Sequence, residues 1–453
     1  MIVPASPRTR TPIHGAPSSY KYTRTIKRLW RSSWRVVCNG CDCKPMILFY
    51  GWVSMVTPSV PIVDGAPADT TIREVHDVNS WDALRTAWKQ LFNTSPTAAP
   101  PLSWEWQRTW WDIYGPIYGS RLRILTVYQG DVLTAVLPLY LRRQPHNALA
   151  PIRLCLLGTA EEEFEETCGE YLDILHAPGM GPSACQVLGQ RLQRTRPDWD
   201  VIDFSHVAAD ATLVRQTLVS SGSWQLQAER PSFVADLGGG FDTYLGELST
   251  RVRSFVRKVL RQYEASGARF ECAGSPQEIT EYFSQLVDLH QARWQAVGKP
   301  GAFAAPRFKE FHYRLCQQMI PLGQAVLARL SIDDRPLSLL LAYIANGAAH
   351  YYVSGSRRDS GGIKSPGIAM NLLLKRHLAS MGIQIFDYQP GSHTYKADYA
   401  TRVRAMARLQ SWRPTWRTAL ALTQRVANRI YRSLYRLPGA EEGLATRIDL
   451  TAR

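Results

Sequence analysis

Late in the sequence, Arg357, Arg358 and Lys364 bracket a run of glycines in SGSRRDSGGIKSPG (Ser354–Gly367), and an apolar stretch with helical spacing follows. A helix N-terminus presents unpaired N–H groups and a partial positive charge. Glycine lets backbone come close to an anion, and Pro366 suits a first helical turn because it lacks a donor. The segment could therefore cradle a pyrophosphate, with Arg357, Arg358, Lys364, Ser365 and Gly367 as its contacts. It is not the NTPase loop GxxxxGK[ST]. Five residues separate Gly355 from Gly361, and Ile363 separates Gly362 from Lys364. A solvated surface turn with incidental charge is the plain alternative.

The elements that would hold this loop recur along the chain. LRILTVYQGDVLTAVLPLYLRR (Leu122–Arg143) reads as a hairpin about a Gly-Asp turn, and EYLDILH (Glu170–His176) reads as a strand. A Pro/Gly loop, the helical ACQVLGQRLQRT and the strand WDVIDFSHV (Trp199–Val207) follow. Residues 324–356 repeat the plan with three strands and turns at Asp333-Asp334-Arg335-Pro336 and Asn346-Gly347. The glycine-rich loop, a helix from about Pro366 to Ala379 and the strand IQIFDYQPG (Ile383–Gly391) complete it. VIDFSH and IFDYQP occupy the same place in the two units, so an internal duplication of α/β units is expected. Helices are expected between the units: STRVRSFVRKVLRQYEASG, with Val252, Phe255, Val256, Val259, Leu260 and Tyr263 on one face; SPQEITEYFSQLVDLHQARWQAVG; and PRFKEFHYRLCQQM.

The net charge of +15 lies in the tails. Residues 1–54 contribute nine Lys/Arg against one Asp (+8), and residues 411–453 eight Arg against three acids (+5). That leaves 15 − 8 − 5 = +2 for the body, which argues against duplex nucleic acid as a partner. Cys38, Cys41 and Cys43 form a CxxCxC without a second ligand pair, so no metal site is expected. MILFYGWVSMVTPSVPIV (Met46–Val63) is broken by two prolines and falls short of the ~20 apolar residues of a membrane span. It reads as part of an unstructured leader, with Met46 or Met55 as alternative starts.

Several stretches, in this order and spacing, resemble the GNAT-type acyltransferases of the CelD-like group, which are related to the Fem peptidyltransferases. They are LSWEWQRTWWDIYG, VLPLYLRR, EYLDIL, LHQARWQAVGKPGAFAAPRFKEFH, HYYVSG with SPGIAMNLLL, and FDYQPGSHTYKADY. The resemblance spans residues 70–410 or so. It implies mixed α/β sheets in tandem GNAT-like halves, the acyl-CoA N-acyltransferase fold, with linking helices. It also implies acetyl-CoA or another acyl-CoA as donor substrate. The acceptor it implies is an amine: a small molecule or a glycan precursor of polysaccharide or cell-envelope biosynthesis. Ser365–Gly367 stand where the family's pyrophosphate loop lies, with unusual spacing. The first unit has GMGPS there and no basic residue, so the donor site belongs to the second.

Acyl transfer from a thioester needs a proton acceptor for the amine, a donor for the carbonyl oxygen and a proton for the leaving sulfur. A backbone N–H on Tyr351–Ser354 could serve the oxygen, and Asp387 or His393 could take the proton. Tyr395 could protonate the sulfur. Lys396, which completes the family's Tyr-Lys pair, could hold an acceptor carboxylate or phosphate. Asp387 could equally brace its loop, and His393 could be an ordinary surface residue. Trp104, Trp106, Trp110 and Trp111 have core spacing; Glu105 between them could face a cleft, with Arg293 and Trp294 as further acceptor contacts. His290 reads as a helix-surface residue.

The expected division is a basic leader (1–66), a first GNAT-like half (67–235), a second half with the acyl-CoA site (236–410) and a basic tail (411–453). Two other readings stay open: Fem-like transfer from charged tRNA, and a non-catalytic accessory of polysaccharide synthesis. The expected location is the cytoplasm, with the arginine-rich tail available for peripheral contact with the inner membrane surface.

Overall fold

A computed structural model describes residues 53–54, 69–144, 147–162, 164–194, 198–217, 224–357, 365–391 and 395–434. Two mixed sheets carry the fold. The first strands are β1 (Val53–Ser54), β2 (Thr70–Val75), β3 (Gly119–Gln129), β4 (Val132–Arg142), β5 (Arg153–Leu156), β6 (Leu175–His176), β7 (Val201–Ala208) and β8 (Trp224–Ala228). Then come β9 (Ser232–Asp236), β10 (Arg269–Cys272), β11 (Ala325–Ile332), β12 (Arg335–Ala345), β13 (Ala348–Ser356), β14 (Ile385–Pro390), β15 (Arg402–Arg404) and β16 (Met406–Trp412). One sheet runs β1-β8-β16-β7-β5-β4-β3-β2, with β6 also on β4; the other runs β10-β11-β12-β13-β14-β9-β15.

The hairpins follow from their turn residues. Asp333-Asp334 joins β11 to β12 and Asn346-Gly347 joins β12 to β13, all four with positive φ, the backbone a two-residue hairpin turn requires. β12 is apolar nearly throughout because both its faces are buried. Leu339, Leu341 and Tyr343 face a core shared with the first half; Leu340 and Ala342 face a second core.

The helices that matter for the site are α1 (Trp104–Tyr118), α2 (Gly181–Arg194), α3 (Thr250–Ala265), α4 (Pro276–Gln295), α5 (Pro306–Met319), α6 (Pro366–Ser380), α7 (Tyr395–Asp398) and α8 (Trp416–Leu434). Ser249 caps α3, whose Val256, Val259, Leu260 and Tyr263 are buried; Phe255 is exposed instead of packed. A capping box of Ser275 and Glu278, with Pro276 at the first helical position, starts α4. Trp104, Trp106 and Trp110 of α1 are buried, Trp106 against Phe311 of α5.

The structure corrects three expectations. Glu170–Ile174 is buried but not strand; only Leu175–His176 pairs, with β4. β7 pairs in parallel with β5, the short stretch Arg153–Leu156, and not with the Glu170–His176 stretch. The boundaries at 235 and 410 cut through β9 and β16: β9 belongs to the second sheet, and β16 returns to the first, between β7 and β8. Each half thus contains a strand from the other half's stretch of sequence.

Candidate active site

β13 and β14 pair in parallel over three residues only: Ala348 with Ile385, Ala349 with Phe386 and His350 with Asp387. Beyond His350, β13 stays with β12 while β14 stays with β9. A register shift opposite Leu341 and Ala342 leaves Tyr352 as an extra residue in β13, a bulge that bends the strand there. A cavity of about 660 Å³ lies at the opening between the two strands. Tyr351, Tyr352 and Val353 line it from β13, and Tyr388, Gln389 and Pro390 from β14. His290 and Trp294 of α4, Phe308 of α5 and the turn Lys299–Ala302 form another wall. Phe164, Glu166, Cys168 and Glu170 reach in from the first half.

Two buried groups shape the β14 side. The Lys396 ammonium donates to the carbonyls of Tyr388 (2.8 Å), Gln389 (3.0 Å) and Pro390 (3.3 Å). These carbonyls lie past the last pairing with β13, and the ammonium supplies the donors the missing strand would have given. Burial pulls the Lys396 amine down to about 8, against the charges of Asp387 and Glu170. Asp387 accepts from Tyr171 Oη (2.5 Å), Ser232 Oγ (2.5 Å) and the Gln389 amide (2.7 Å). Gln389 is held at φ 63°, so these contacts fix a strained bend where the strands part.

The sequence-derived candidates therefore divide. Asp387 is buried, has three donors and does not line the cavity. Lys396 lines the cavity, but its three N–H bonds go to backbone carbonyls. Tyr395 lies behind the wall, hydrogen-bonded to Tyr351, with burial raising its hydroxyl far above the ordinary value. Trp294 lines the cavity and donates to His290 Nε2 (2.9 Å). His290 is a buried wall residue and not a helix-surface one; burial keeps its ring below the ordinary histidine value. Arg293 is exposed and off the wall, though its charge reaches Tyr351 and Tyr395. Glu105 is buried, ion-paired to Lys89 (2.5 Å) and away from the cavity.

At the start of α6, Ser365 takes φ 58° and ψ 56° ahead of Pro366. Gly367 sits against the end of β13: a Cβ there would meet Ser356 Oγ at 2.9 Å. Arg357 anchors the strand end, its Nε donating to the Pro336 carbonyl (2.7 Å). Arg358, Lys364 and His393 lie outside the described residues. Among the described residues, no group of three His, Cys, Asp or Glu could hold a metal ion, and no helix is long and apolar enough to cross a membrane.

Sequence reasoning missed the first half's contribution. Residues 157–174 leave the sheet between β5 and β6 and reach the second half's cavity. Cys168 (φ 47°), Tyr171 (φ 70°) and His206 (φ 61°) share left-handed backbone at this junction, each worth about 1–3 kcal/mol of strain. His206 Nδ1 lies 3.1 Å from Glu170 Oε1. Burial alone would favour the neutral ring, but the carboxylates of Glu170, Glu229 and Glu166 push His206 up to about 10. From the sequence Glu170 reads as part of one strand and His206 as part of another, and a juxtaposition of residues 36 apart leaves no local signal.

Residues 250–397, from α3 to α7 and including the diverging strands, match the family model of an acetyltransferase (GNAT) domain. The crystal structure of FemX is similar over 81% of this chain and 100% of that one, with a TM-score of 0.52 at 10% identity. A conserved protein of unknown function from Bacteroides thetaiotaomicron VPI-5482 is similar over 73% and 97%, at 0.45 and 8% identity. A tandem GNAT protein from the clavulanic acid biosynthesis pathway is similar over 76% and 100%, at 0.37 and 13% identity. No curated protein matches the sequence. The FemX likeness is one of fold. The fold is mixed α/β in tandem GNAT-like halves, and its second half is an acyltransferase fold of the GNAT type. Nothing in these likenesses singles out the CelD-like group.

Proposed function

We propose that the chain transfers an acyl group from acyl-CoA, with acetyl-CoA the simplest donor, to an amine of polysaccharide or cell-envelope biosynthesis. The observation that carries this reading is the parting of β13 and β14 after His350 and Asp387, with the cavity at that point, inside the span that matches the GNAT domain. A thioester laid along the opening would meet β13 N–H groups that β14 no longer occupies. The first turn of α6, close against Ser356 at Gly367, fits a pyrophosphate by its dipole and the close backbone approach at Gly367. Arg358 and Lys364 would add charge to that turn. Tyr395, acting through Tyr351, would supply the proton to the departing sulfur, and Lys396 would keep the opening in shape.

Calorimetry with acetyl-CoA and release of free thiol with a panel of primary amines test the reading. Binding in the wild type, weakened roughly tenfold to a hundredfold by R358A or K364A, is expected. Gly367→Val should weaken it too, since its side chain would push α6 off Ser356. Tyr395→Phe should bind acetyl-CoA normally and turn over slowly. An acetyl-CoA-blind wild type that uses aminoacyl-tRNA would replace this reading with the Fem-like one.

The tail also enters the proposal. On α8, Trp416, Leu422 and Val426 are exposed, and residues 413–436 carry arginines but no acid. Such a helix suits an anionic membrane surface. Co-sedimentation with anionic vesicles should be lost in high salt and on removal of residues 416–453.

A further inference from the structure

Among the described residues, the second half's cavity wall offers the incoming amine no free proton acceptor. His290 has both ring nitrogens engaged, Nδ1 with Gln291 and Nε2 with the Trp294 indole. Lys396 is tied to three carbonyls, and Asp387 lies behind the wall. The carboxylates that line the cavity among the described residues are Glu166 and Glu170, both on the segment that leaves the first half.

Glu170 is the one built into place. It is 9% exposed, yet it lies on the cavity wall. His206 Nδ1 is 3.1 Å from its Oε1, and the His206 amide donates to Glu229 Oε2 (3.1 Å). The His206 carbonyl accepts from the amides of Tyr171 (2.8 Å) and Leu172 (3.2 Å), which locks the segment to β7. Tyr171, next in sequence, fastens it to β14 through Asp387. A carboxylate is thus anchored from both halves at the opening where the thioester would lie.

We propose that Glu170, positioned by His206, is the acceptor-side carboxylate: it binds the ammonium of the incoming amine and takes its proton. This rests on the acyl-CoA reading above. The amine gives one proton to Glu170, and its nitrogen forms the bond to the thioester carbonyl carbon. The carbon–sulfur bond then breaks; the departing sulfur takes its proton through Tyr351 and Tyr395, the nitrogen's second proton replaces the one they gave, and a neutral amide and free thiol are left. His206, pushed up to about 10 by its carboxylate neighbours, is cationic at neutral pH and orients Glu170 through the 3.1 Å contact. The other groups that act on this pair are Glu229, Glu166, Glu161, Cys168 and Lys396. Phe164 and Trp294 offer faces for a cationic or apolar acceptor. The two halves therefore divide the work: the second binds the donor, and the first supplies the base.

The test uses the full chain, acetyl-CoA and two nucleophiles, n-butylamine and hydroxylamine. n-Butylamine is an ammonium at pH 7 and needs both binding and deprotonation; hydroxylamine is largely neutral there. Glu170→Gln should bind acetyl-CoA like the wild type and lose about a hundredfold or more in kcat/KM for n-butylamine. It should keep most of its rate with hydroxylamine. His206→Gln, which retains a donor without the charge, should move the acid limb of the n-butylamine profile to higher pH, a shift that mere loss of packing does not produce. Glu170→Gln with wild-type n-butylamine turnover overturns the proposal. So does an equal fall with both nucleophiles, since Glu170 would then only shape the cavity. A wild type that binds acetyl-CoA but acetylates no amine overturns the amine site and leaves the donor site standing. One that does not bind acetyl-CoA removes the underlying reading, and this proposal with it.

Discussion

In each half a parallel strand pair ends on an aspartate: Cys155 opposite Asp203 in the first, His350 opposite Asp387 in the second. What lies beyond differs. In the first half, the strand after Leu156 breaks away as residues 157–174, and Tyr171 and Leu172 bond to the His206 carbonyl just past the pair. Leu172 and Ile174 are fully buried there. Asp203 is held by Arg408 through two 2.6 Å bonds and by Gln410, both from β16. Although burial pushes the Asp203 carboxyl up, Arg408 and Arg153 hold it below the ordinary carboxylate range. In the second half, β13 runs on unbroken, Asp387 is held by hydroxyls and an amide, and a cavity opens. The same fold unit is thus a filled support in one copy and an open cleft in the other. The filling segment of the first is part of the wall of the second.

Breaking the strand exchange should have the largest effect. β16 pairs on both sides, with β7 and β8. A chain ending at Ala405 should show no cooperative thermal transition. One ending at Gln410, the boundary expected from sequence, should melt well below full length. It lacks Ser411, Trp412 and the contacts of Arg413 and Thr415 with Trp199 and Asp200. A chain ending at Leu434 should melt like the full chain.

Alanine at the two aspartates sharpens the contrast. Asp203→Ala strands Arg408 and should destabilise by about 3 kcal/mol, the low end for a buried pair because Arg408 is one-third exposed. It should leave acetyl-CoA affinity intact. Asp387→Ala leaves the Tyr171 and Ser232 hydroxyls unpaired, at about 1–3 kcal/mol each, and should weaken acetyl-CoA binding as well, because the bend at Gln389 relaxes. Thermal melts with calorimetry separate the two outcomes.

The cores differ too. Lys375 of α6 is fully buried in the second core, among the rings of Tyr244, Phe386, Tyr388 and Tyr399. Burial lowers its amine to about 7, below its ordinary 10.5. The unfolded chain then binds more protons between these values, so stability rises with pH across that window. Lys375→Met should flatten this slope and raise the melting temperature at pH 7, by about 1–3 kcal/mol of stability. The smallest effect is expected from Glu105→Gln in the first half: about 1 kcal/mol or less, with unchanged turnover, because its partner Lys89 is one-third exposed.

What was legible in the sequence was local. The Asp-Asp and Asn-Gly turns and the parity of VIDF with IFDY are set by neighbours a few residues apart, and the structure has them all. Glu170–Ile174 misled because a buried plug and a buried strand demand the same apolar residues. The exchanged strands left no trace in any window, since β16 meets β7 some 200 residues away. The site was half legible. Trp294 and Lys396 reach the cavity, but whether Lys396 had free donors depended on the carbonyls at the end of β14. Glu170 and Asp387 acquire their surroundings from contacts across the two halves, Tyr171 to Asp387 spanning 216 positions.

Hydrogen–deuterium exchange of the full chain with and without acetyl-CoA tests the contrast between the two halves most directly. The open second half should gain protection at Tyr351–Ser356 and over the first turn of α6, with no change at Arg153–Leu156 or Val201–His206. Protection centred on β5 and β7, or none anywhere at saturating acetyl-CoA, would contradict the account.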